Sequence, residues 1–461
     1  MKRILMILLL VVLVLTAAGV WAWLTAPKLL EVSPAGGSQE VPVRSPLRIT
    51  FSQPLQTGSL RSHLKFDPAQ EGQLTWEGST LVFTPELGWP AGITVTVTLE
   101  AGGRAPGIFG LPVMQAEQWA FHTSQPLLAY LWPAGESANL YALDPRSGQI
   151  WQWTQTGGIL DFSPSADGTH LYFSRQNSQG GSDLLRLSRQ AVANDPEAEP
   201  EPLLACPDAL CRLPHPSPDE TWLAYERAPL ASEAGTTQVW LMPLPQGEPF
   251  LFGEENHNTS QPIWSASGWL AFYDRTQESY VLITPLGAWK WLLPNQTGES
   301  ACWHPQGSAF VTAEILFEES SLVNVYASSH LMRFELPAVA AASVPAPQDL
   351  TQDVALEDAD PVYSPDGSHI AFARKYLNLA RWTPGRQLWV ISEDGTQARP
   401  LTDEPLYTHY DFAWSPDGEQ IAYVRFHQTV LTLPPELWII QADGSSPLQL
   451  VIGGYAPQWA P

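Results

Sequence analysis

Cysteine is scarce in this sequence of 461 residues, which contains only Cys206, Cys211 and Cys302. Three cysteines do not form a disulfide framework, and no spacing between them and the ten histidines matches a zinc site. Cys206 and Cys211 could pair in an oxidising compartment. Cys302, next to Trp303 in an apolar segment, is expected to be a buried thiol.

Charged residues are also few, at 15% of the chain against about 25% in an average protein. The 23 basic residues are outnumbered by 47 acidic ones, and the formal net charge is −24. A chain with this charge repels polyanions. No nucleic-acid partner is therefore expected.

Catalytic motifs are missing as well. The chain has no G-x-S-x-G nucleophile motif and no H-E-x-x-H motif, and its histidines are scattered. We therefore expect no enzyme, no cofactor and no metal. Asp358 and Asp360 lie in an acidic segment that could bind Ca²⁺, although a solvated loop is the simpler interpretation.

Proline, tryptophan and glycine are abundant, with 43, 20 and 33 residues. Many short strands separated by Gly and Pro turns give this composition, which predicts an all-β fold. The length predicts two or three domains.

The N-terminus predicts the compartment. Lys2 and Arg3 precede an apolar run from Ile4 to Leu24, and a helix of that length spans roughly 31 Å, enough to cross a bilayer. We interpret residues 1–25 as an uncleaved single-pass membrane anchor, with the bulk of the chain extracytoplasmic, in the periplasm or at the cell surface. A cleaved signal peptide is the alternative, because residues 16–19 are small.

Residues 29–124 alternate apolar and polar positions over short segments, as half-buried strands do. A unit of this size is typical of a small β-sandwich. The sequence here resembles the bacterial Ig-like domains of the surface-layer and envelope type, which implies a spacer or adhesion module without catalysis. The residues that carry the resemblance are Val32 to Gly36 (VSPAG), Ile49 to Pro54 (ITFSQP), Leu81 to Pro85 (LVFTP), Ala91 to Val97 (AGITVTV) and Trp119 to Phe121 (WAF).

Residues 127–461 contain an internal repeat of four short strands, which is typical of a propeller blade. Its clearest copies begin at Tyr363 to Gly367 (YSPDG) and Trp414 to Gly418 (WSPDG). This motif resembles the TolB-type propeller repeat, which is also found in propellers attached to prolyl peptidases. The first copy, after Leu127, lacks a first strand, and the segment around Trp459 lacks a following blade. We therefore predict a seven-bladed β-propeller closed by the C-terminal strand.

The aspartates of the repeat, Asp219, Asp366 and Asp417, are expected to form turns rather than a catalytic centre. Two proline-rich stretches, Asn194 to Pro202 and Pro337 to Gln348, are expected to be disordered insertions.

Arginine recurs at the end of the second strand of the repeat, close to long loops that carry aromatic and polar groups. These arginines either pair with carboxylates of their own or the next blade, or form a ring of guanidinium groups that binds a ligand. The candidate loop face consists of Arg175, Arg227, Arg275, Arg374, Tyr376, Tyr407, His409, Arg425 and His427.

These patterns favour an extracytoplasmic binding or scaffold protein, attached to the membrane by its N-terminal helix, whose loop face is presented to a protein, peptide or glycan partner. The alternative is an envelope hydrolase or lyase acting on glycan or peptide at the central channel of the propeller. A third possibility is a structural module without a ligand.

Overall fold

The computed structural model describes residues 13, 16 and 26–461, with gaps at 40, 44, 87, 106–110, 114, 136, 232–235, 288, 320–324, 338–342, 345 and 354. The chain forms two compact units, Met1–Gln125 and Pro126–Pro461. The predicted anchor lies almost entirely outside the described residues. Among those that are described, no helix is long and apolar enough to cross a bilayer.

The first unit is a β-sandwich. Its two antiparallel sheets have the strand orders β1-β2-β5-β4 and β3-β6-β7, and their inner faces share one apolar core, as the alternating pattern predicts. Trp89 lies in this core, with its ring 5.3 Å from that of Phe121. The elements are β1 (Leu29–Ser33), β2 (Leu47–Phe51), α1 (Thr57–Leu60), β3 (Leu64–Asp67), β4 (Gly72–Glu77), β5 (Thr80–Pro85), β6 (Thr94–Leu99) and β7 (Glu117–His122).

The described part of the second unit contains seven sets of four antiparallel strands, here called sheets 1 to 7. Sheet 1 combines β8 (Leu127–Trp132), β9 (Asn139–Leu143) and β10 (Ile150–Gln152) with the C-terminal β35 (Tyr455–Ala460). Sheet 2 has β11 (Ile159–Pro164), β12 (His170–Gln176), β13 (Ser182–Ser188) and β14 (Glu201–Leu204), with α2 (Arg189–Asn194) between the last two. Sheet 3 has β15 (Ala209–Pro216), β16 (Trp222–Pro229), β17 (Gln238–Pro243) and β18 (Phe250–Leu251).

The remaining sheets follow in chain order. Sheet 4 has β19 (Thr259–Trp264), β20 (Leu270–Asp274), β21 (Ser279–Ile283) and β22 (Lys290–Pro294). Sheet 5 has β23 (Ala301–Trp303), β24 (Ala309–Glu319), β25 (Val325–Glu335) and β26 (Gln348–Asp349). Sheet 6 has β27 (Leu356–Tyr363), β28 (His369–Tyr376), β29 (Gln387–Ser392) and β30 (Arg399–Pro400). Sheet 7 has β31 (Tyr407–Trp414), β32 (Gln420–His427), β33 (Glu436–Gln441) and β34 (Leu448–Ile452).

Each sheet packs against the next through a shared apolar cluster. Sheet 7 in turn packs against sheet 1, because its residues Val424 and Leu437 share an apolar cluster with Leu128 and Tyr130 of sheet 1. First strands of neighbouring sheets contact one another, and β35 contacts both β31 and β11. The arrangement is therefore propeller-like, with the first strands innermost.

The C-terminal strand pairs with β8 in an antiparallel register that places Trp459 opposite Leu128. The predicted pairing of the two ends of this unit is thus confirmed. The indole of Trp459 donates a hydrogen bond to the Ala413 carbonyl in the first strand of sheet 7, at 3.1 Å. Trp264, Trp303 and Trp414 make the same bond to the preceding first strand, so tryptophan fills the wedge between sheets as expected.

The turn role of the repeated aspartates is also confirmed. Asp366 accepts hydrogen bonds from the Ser364 hydroxyl at 2.6 Å and the Ser368 backbone N–H at 3.1 Å, and Gly367 supplies the positive φ that closes the hairpin. Burial raises the pKa of Asp366, but these hydrogen bonds outweigh it and lower the pKa overall. Asp219 and Asp417 accept equivalent bonds from Ser217 and Ser415.

The predicted disorder of Asn194 to Pro202 is wrong at both ends of the stretch, because Asn194 ends helix α2 and Glu201 begins β14, while residues 195–200 form an irregular connection. Residues from Glu201 onward form β14, which pairs with β13 at the outer edge of sheet 2, and proline is tolerated in such an edge strand. In the second stretch, Gln348 begins the edge strand β26, while 338–342 and 345 lie outside the described residues.

Cys206 and Cys211 form a disulfide with an S–S distance of 2.01 Å, so the pairing that the sequence left open is present. Cys302 is a free thiol in a half-buried residue, and burial of the thiol raises its pKa to about 12.

Candidate binding face

Each second strand of sheets 2 to 7 runs towards one end of the unit, where it connects to the third strand. We call this end the loop face, and the opposite end, with the aspartate turns, the turn face. Arg374, at the loop end of β28, is buried and donates two hydrogen bonds to Asp358, each 2.7 Å long. Its guanidinium also lies 5.0 Å from the ring centre of Trp389. This arginine is fully engaged within its own sheet.

Arg425 occupies the equivalent place in sheet 7. It forms ion pairs with Glu404 and with Glu436, the latter at 2.9 Å, and stacks between Tyr407 at 4.2 Å and Trp438 at 4.0 Å. Such a guanidinium is held by charge and by ring contact on both faces.

His409 is completely buried beside this group. Its Nδ1 lies 2.9 Å from the Arg386 carbonyl oxygen and its Nε2 lies 3.3 Å from Glu404. The contact with His409 and the ion pair with Arg425 hold the pKa of Glu404 at about 2, despite partial burial. His409 therefore helps to hold Glu404, a carboxylate partner of Arg425, from the buried side.

The other arginines of the predicted ring are less constrained. Arg227 pairs with Asp208 at 3.1 Å and lies over Trp240, and Arg175 donates to the Thr156 hydroxyl at 3.0 Å. Arg275 is exposed and makes no ion pair with the described residues. Three of the five arginines are thus paired with carboxylates near their own sheet, and three stack on a tryptophan of the third strand.

The predicted aromatic and histidine residues of this face lie around Arg425 and the neighbouring loop. Tyr407 and His427 meet edge to face at 5.0 Å, and the His427 Nδ1 accepts the backbone N–H of Val430 at 3.1 Å. Tyr376 has the guanidinium of Arg381 over its ring at 3.9 Å.

A cleft of about 390 Å³ lies between sheets 6 and 7 on the loop side. The aromatic rings of Tyr410 and Phe426 pack edge to face there, at 5.6 Å. The cleft is lined by Glu357, Asp360, Lys375, Pro384, Arg386, Thr408, Tyr410, Phe426 and Gln428.

The two cations that line the cleft, Lys375 and Arg386, share one carboxylate. Arg386 donates to Glu357 through Nε at 2.8 Å and through Nη2, and Lys375 lies 3.9 Å from the same side chain. Asp360 accepts a hydrogen bond from the Ser300 hydroxyl at 3.0 Å and makes no ion pair with a described residue. Both sequence interpretations, a Ca²⁺-binding loop and the simpler solvated loop, placed Asp358 and Asp360 in a loop and are wrong on that point, because both residues lie in strand β27 and Asp358 is completely buried.

Asp360 belongs to a structural series that the sequence did not reveal. Five of the seven described first strands of the propeller-like unit carry a bulge residue with φ near +50°, where the pairing register shifts. In four of them it lies three positions before the aromatic or proline residue that ends the strand, and in β35 it lies three positions before Trp459, the last residue but one. This constant spacing is the signal that could have identified it. The members are Leu213, Gln261, Asp360, Asp411 and Ala456.

Asp411 is the acidic neighbour of Asp360 in this series. Asp411 is an exposed residue beside the neighbouring strand. Partial desolvation, together with the charge of Asp360, raises the pKa of Asp411 to about 6, against a smaller lowering by the Ala456 backbone N–H. Burial and nearby Asp360 and Glu357 also raise the pKa of Glu299, whereas Arg386 lowers it.

Large apolar side chains are exposed on the loops around the cleft. Leu379 is 98% exposed and Leu431 is 76% exposed. The segment before β31 joins the two loops, because the Pro405 carbonyl accepts the Gly385 N–H and the Leu406 carbonyl accepts the Gln428 N–H. We call this surface the apolar rim, and it consists of Leu379, Trp382, Leu406, Val430, Leu431 and Leu433.

Residues 24–123 match the bacterial Ig-like domain family. No curated protein matches the chain. Among solved structures, TolB from Acinetobacter baumannii is similar at 13% identity over 87% of this chain and 83% of that one, with a TM-score of 0.43. A putative TolB from Agrobacterium tumefaciens has 17% identity over 72% and 91%, with a TM-score of 0.42.

An oligogalacturonate lyase from Vibrio parahaemolyticus is also similar, at 13% identity over 65% of this chain and 74% of that one, with a TM-score of 0.41. These likenesses concern the fold alone. The description of the second unit rests on its strand pairing and packing. The chain thus contains a bacterial Ig-like domain at residues 24–123, followed by a propeller-like unit that is similar to TolB-type propellers.

Proposed function

We propose that this chain is an extracytoplasmic binding or scaffold protein of the cell envelope, which uses the loop face of sheets 6 and 7 to hold a protein, peptide or glycan. The apolar rim around the cleft is the observation that carries this proposal. Soluble proteins rarely leave a contiguous group of large apolar side chains exposed unless it meets a partner. Long loops on a rigid scaffold are the usual place for such contacts.

The compartment and the architecture belong to the same proposal. The Cys206–Cys211 disulfide supports an oxidising compartment, because thiols are kept reduced in the cytosol. We take the apolar run near the N-terminus as a single-pass anchor, the Ig-like domain as a spacer, and the second unit as a seven-bladed propeller closed by β35.

Site-specific photo-crosslinking tests this function. A photoreactive phenylalanine analogue replaces Leu431 in the apolar rim or, as a matched control, Leu286, which is 89% exposed in a β-turn at the turn face. In cells that naturally produce the chain, we expect a discrete adduct from position 431 and none from position 286. No adduct at 431, or the same adducts at both positions, would indicate a structural module and contradict the proposal.

An envelope hydrolase or lyase acting on glycan or peptide is the second candidate. The observation in its favour is that Asp360 and Asp411 lie on neighbouring inner strands while the pKa of Asp411 is raised to about 6. Two carboxylates with different pKa values are the usual arrangement for general acid and base catalysis. Turnover of solubilised envelope glycan or of a denatured protein, lost in Asp411→Asn and retained in Asp443→Asn, would support it.

A further inference from the structure

We propose that the loop face of sheets 6 and 7 docks a basic segment of a protein partner, which places a lysine or arginine side chain at the inner end of the cleft and its apolar residues on the rim. This proposal rests on the binding function proposed above and adds the chemistry of the partner. Its basis is the distribution of charge in and around the cleft.

The charges that line the cleft balance, with Glu357 and Asp360 against Lys375 and Arg386, and both cations lie against Glu357. The excess of negative charge comes from Asp411 and Glu299, which lie outside the lining but interact with Asp360. Asp360 and Asp411 make no ion pair with a described residue, and Glu299 adds a third carboxylate that interacts with Asp360. A cationic side chain placed between Asp360 and Asp411 would neutralise carboxylates that repel each other.

The apolar rim adjoins the cleft through the loops that the two surfaces share. Pro384 and Gln428 belong to both the cleft lining and the loops that carry the rim. Trp382 at the rim lies 5.8 Å from the ammonium of Lys375, a residue that lines the cleft, so this indole stands where a cation can meet an aromatic ring. A segment that alternates basic and apolar side chains fits the two adjacent surfaces.

The overall charge favours the same partner. With a formal net charge of −24, the chain attracts basic segments and repels acidic ones over long distances. Anionic lipid headgroups are therefore disfavoured as occupants of this face. Arg381, on the same loop as Leu379 and Trp382 of the rim, lies over the Tyr376 ring.

Binding of labelled octapeptides to the purified full chain tests the inference. The probes alternate leucine with lysine, leucine with glutamate, or glycine with lysine, and fluorescence anisotropy measures their dissociation constants. We expect the leucine–lysine peptide to bind tightest and to weaken at least about tenfold between low and high salt, because the contact depends on unscreened charge. The glycine–lysine peptide should bind more weakly because it lacks contacts with the rim.

Paired variants locate the binding site. The Asp360→Asn/Asp411→Asn variant should weaken the leucine–lysine peptide about tenfold. The Asp394→Asn/Asp443→Asn variant loses the same charge in turns at the turn face and should change binding less than about twofold. Trp382→Ser/Leu431→Ser should weaken it as well, unlike the matched pair Leu286→Ser/Trp289→Ser.

Equal losses in the two aspartate pairs would show only general attraction to an acidic protein and would overturn the proposal. Equal affinity for the lysine and glutamate peptides would also overturn it. The binding function itself would survive either result if position 431 still crosslinks a partner, whereas loss of that adduct would remove both.

Discussion

Two aspartates on strand β27, only two residues apart, lie in opposite electrostatic surroundings. Asp358 is completely buried and accepts two hydrogen bonds from Arg374 and one from the Thr351 hydroxyl. Asp360 occupies the bulge, turns towards the cleft and interacts with Asp411 instead of a cation. The comparison shows that one bulge residue separates a buried carboxylate with a cationic partner from a carboxylate that lines the cleft without an ion pair to a described residue.

Removing the cation from the buried site should have the largest effect. In Arg374→Met, Asp358 loses its partner while it remains buried, and we expect the free energy of unfolding to fall by about 3 to 5 kcal/mol. Urea denaturation followed by tryptophan fluorescence measures this loss. Asp358→Leu/Arg374→Met should regain most of it, because no unpaired charge remains. A loss below about 1 kcal/mol in the single variant would contradict this view of the pair.

Removing the charge of Asp411 at its bulge should increase the free energy of unfolding, and this gain should be smaller than the loss in Arg374→Met. The pKa of Asp411 is raised in the folded protein to about 6, above about 3.9 in an unfolded chain. Ionised Asp411 therefore opposes folding, and its cost develops as pH rises from about 4 to about 6 and stays constant above. We expect Asp411→Asn to be more stable than the parent at pH 8.

The same variant should lose most of this advantage at pH 4, where Asp411 is protonated in the folded chain and about half protonated in the unfolded chain. Thermal unfolding of the two proteins at pH 8 and pH 4 checks this. A stability difference that does not depend on pH would show that Asp411 is not desolvated as described.

Removing an arginine that lacks a carboxylate partner should have the smallest effect. Arg275 is exposed and makes no ion pair with the described residues, so Arg275→Ala should change the free energy of unfolding by less than about 0.5 kcal/mol. The same urea titration measures it. A loss comparable to that of Arg374→Met would mean that position in the repeat, rather than the local partner, determines the stability contribution.

Sequence reasoning reached the features that depend on local turn chemistry and repetition. The Ser-Pro-Asp-Gly hairpins and the pairing of the Trp459 segment were predictable, because each rests on a motif whose geometry is short-range. The recurrence of arginine was visible too. Its partners were not, because Glu404 and Glu436 come from a connection and a third strand whose spacing to Arg425 does not repeat in other sheets.

The bulge residues escaped prediction for a different reason. Leucine, glutamine, aspartate and alanine all occupy this position, so the residue type alone does not predict a positive φ there. The composition of Asn194 to Pro202 led to a prediction of disorder, because proline and glutamate are common in disordered segments. The same residues are also compatible with an edge strand such as β14.

The pairing of β35 with β8 has a consequence for synthesis on the ribosome. Strand β8 emerges early, but the strand that covers its inner edge is made only after every other strand of the unit. Until then the nascent chain carries an uncovered strand edge, which is a template for mispairing with other chains. The open edge of β8 therefore persists longer during synthesis than the other pairings of the unit, and residues Tyr455–Ala460 are the ones that cover it.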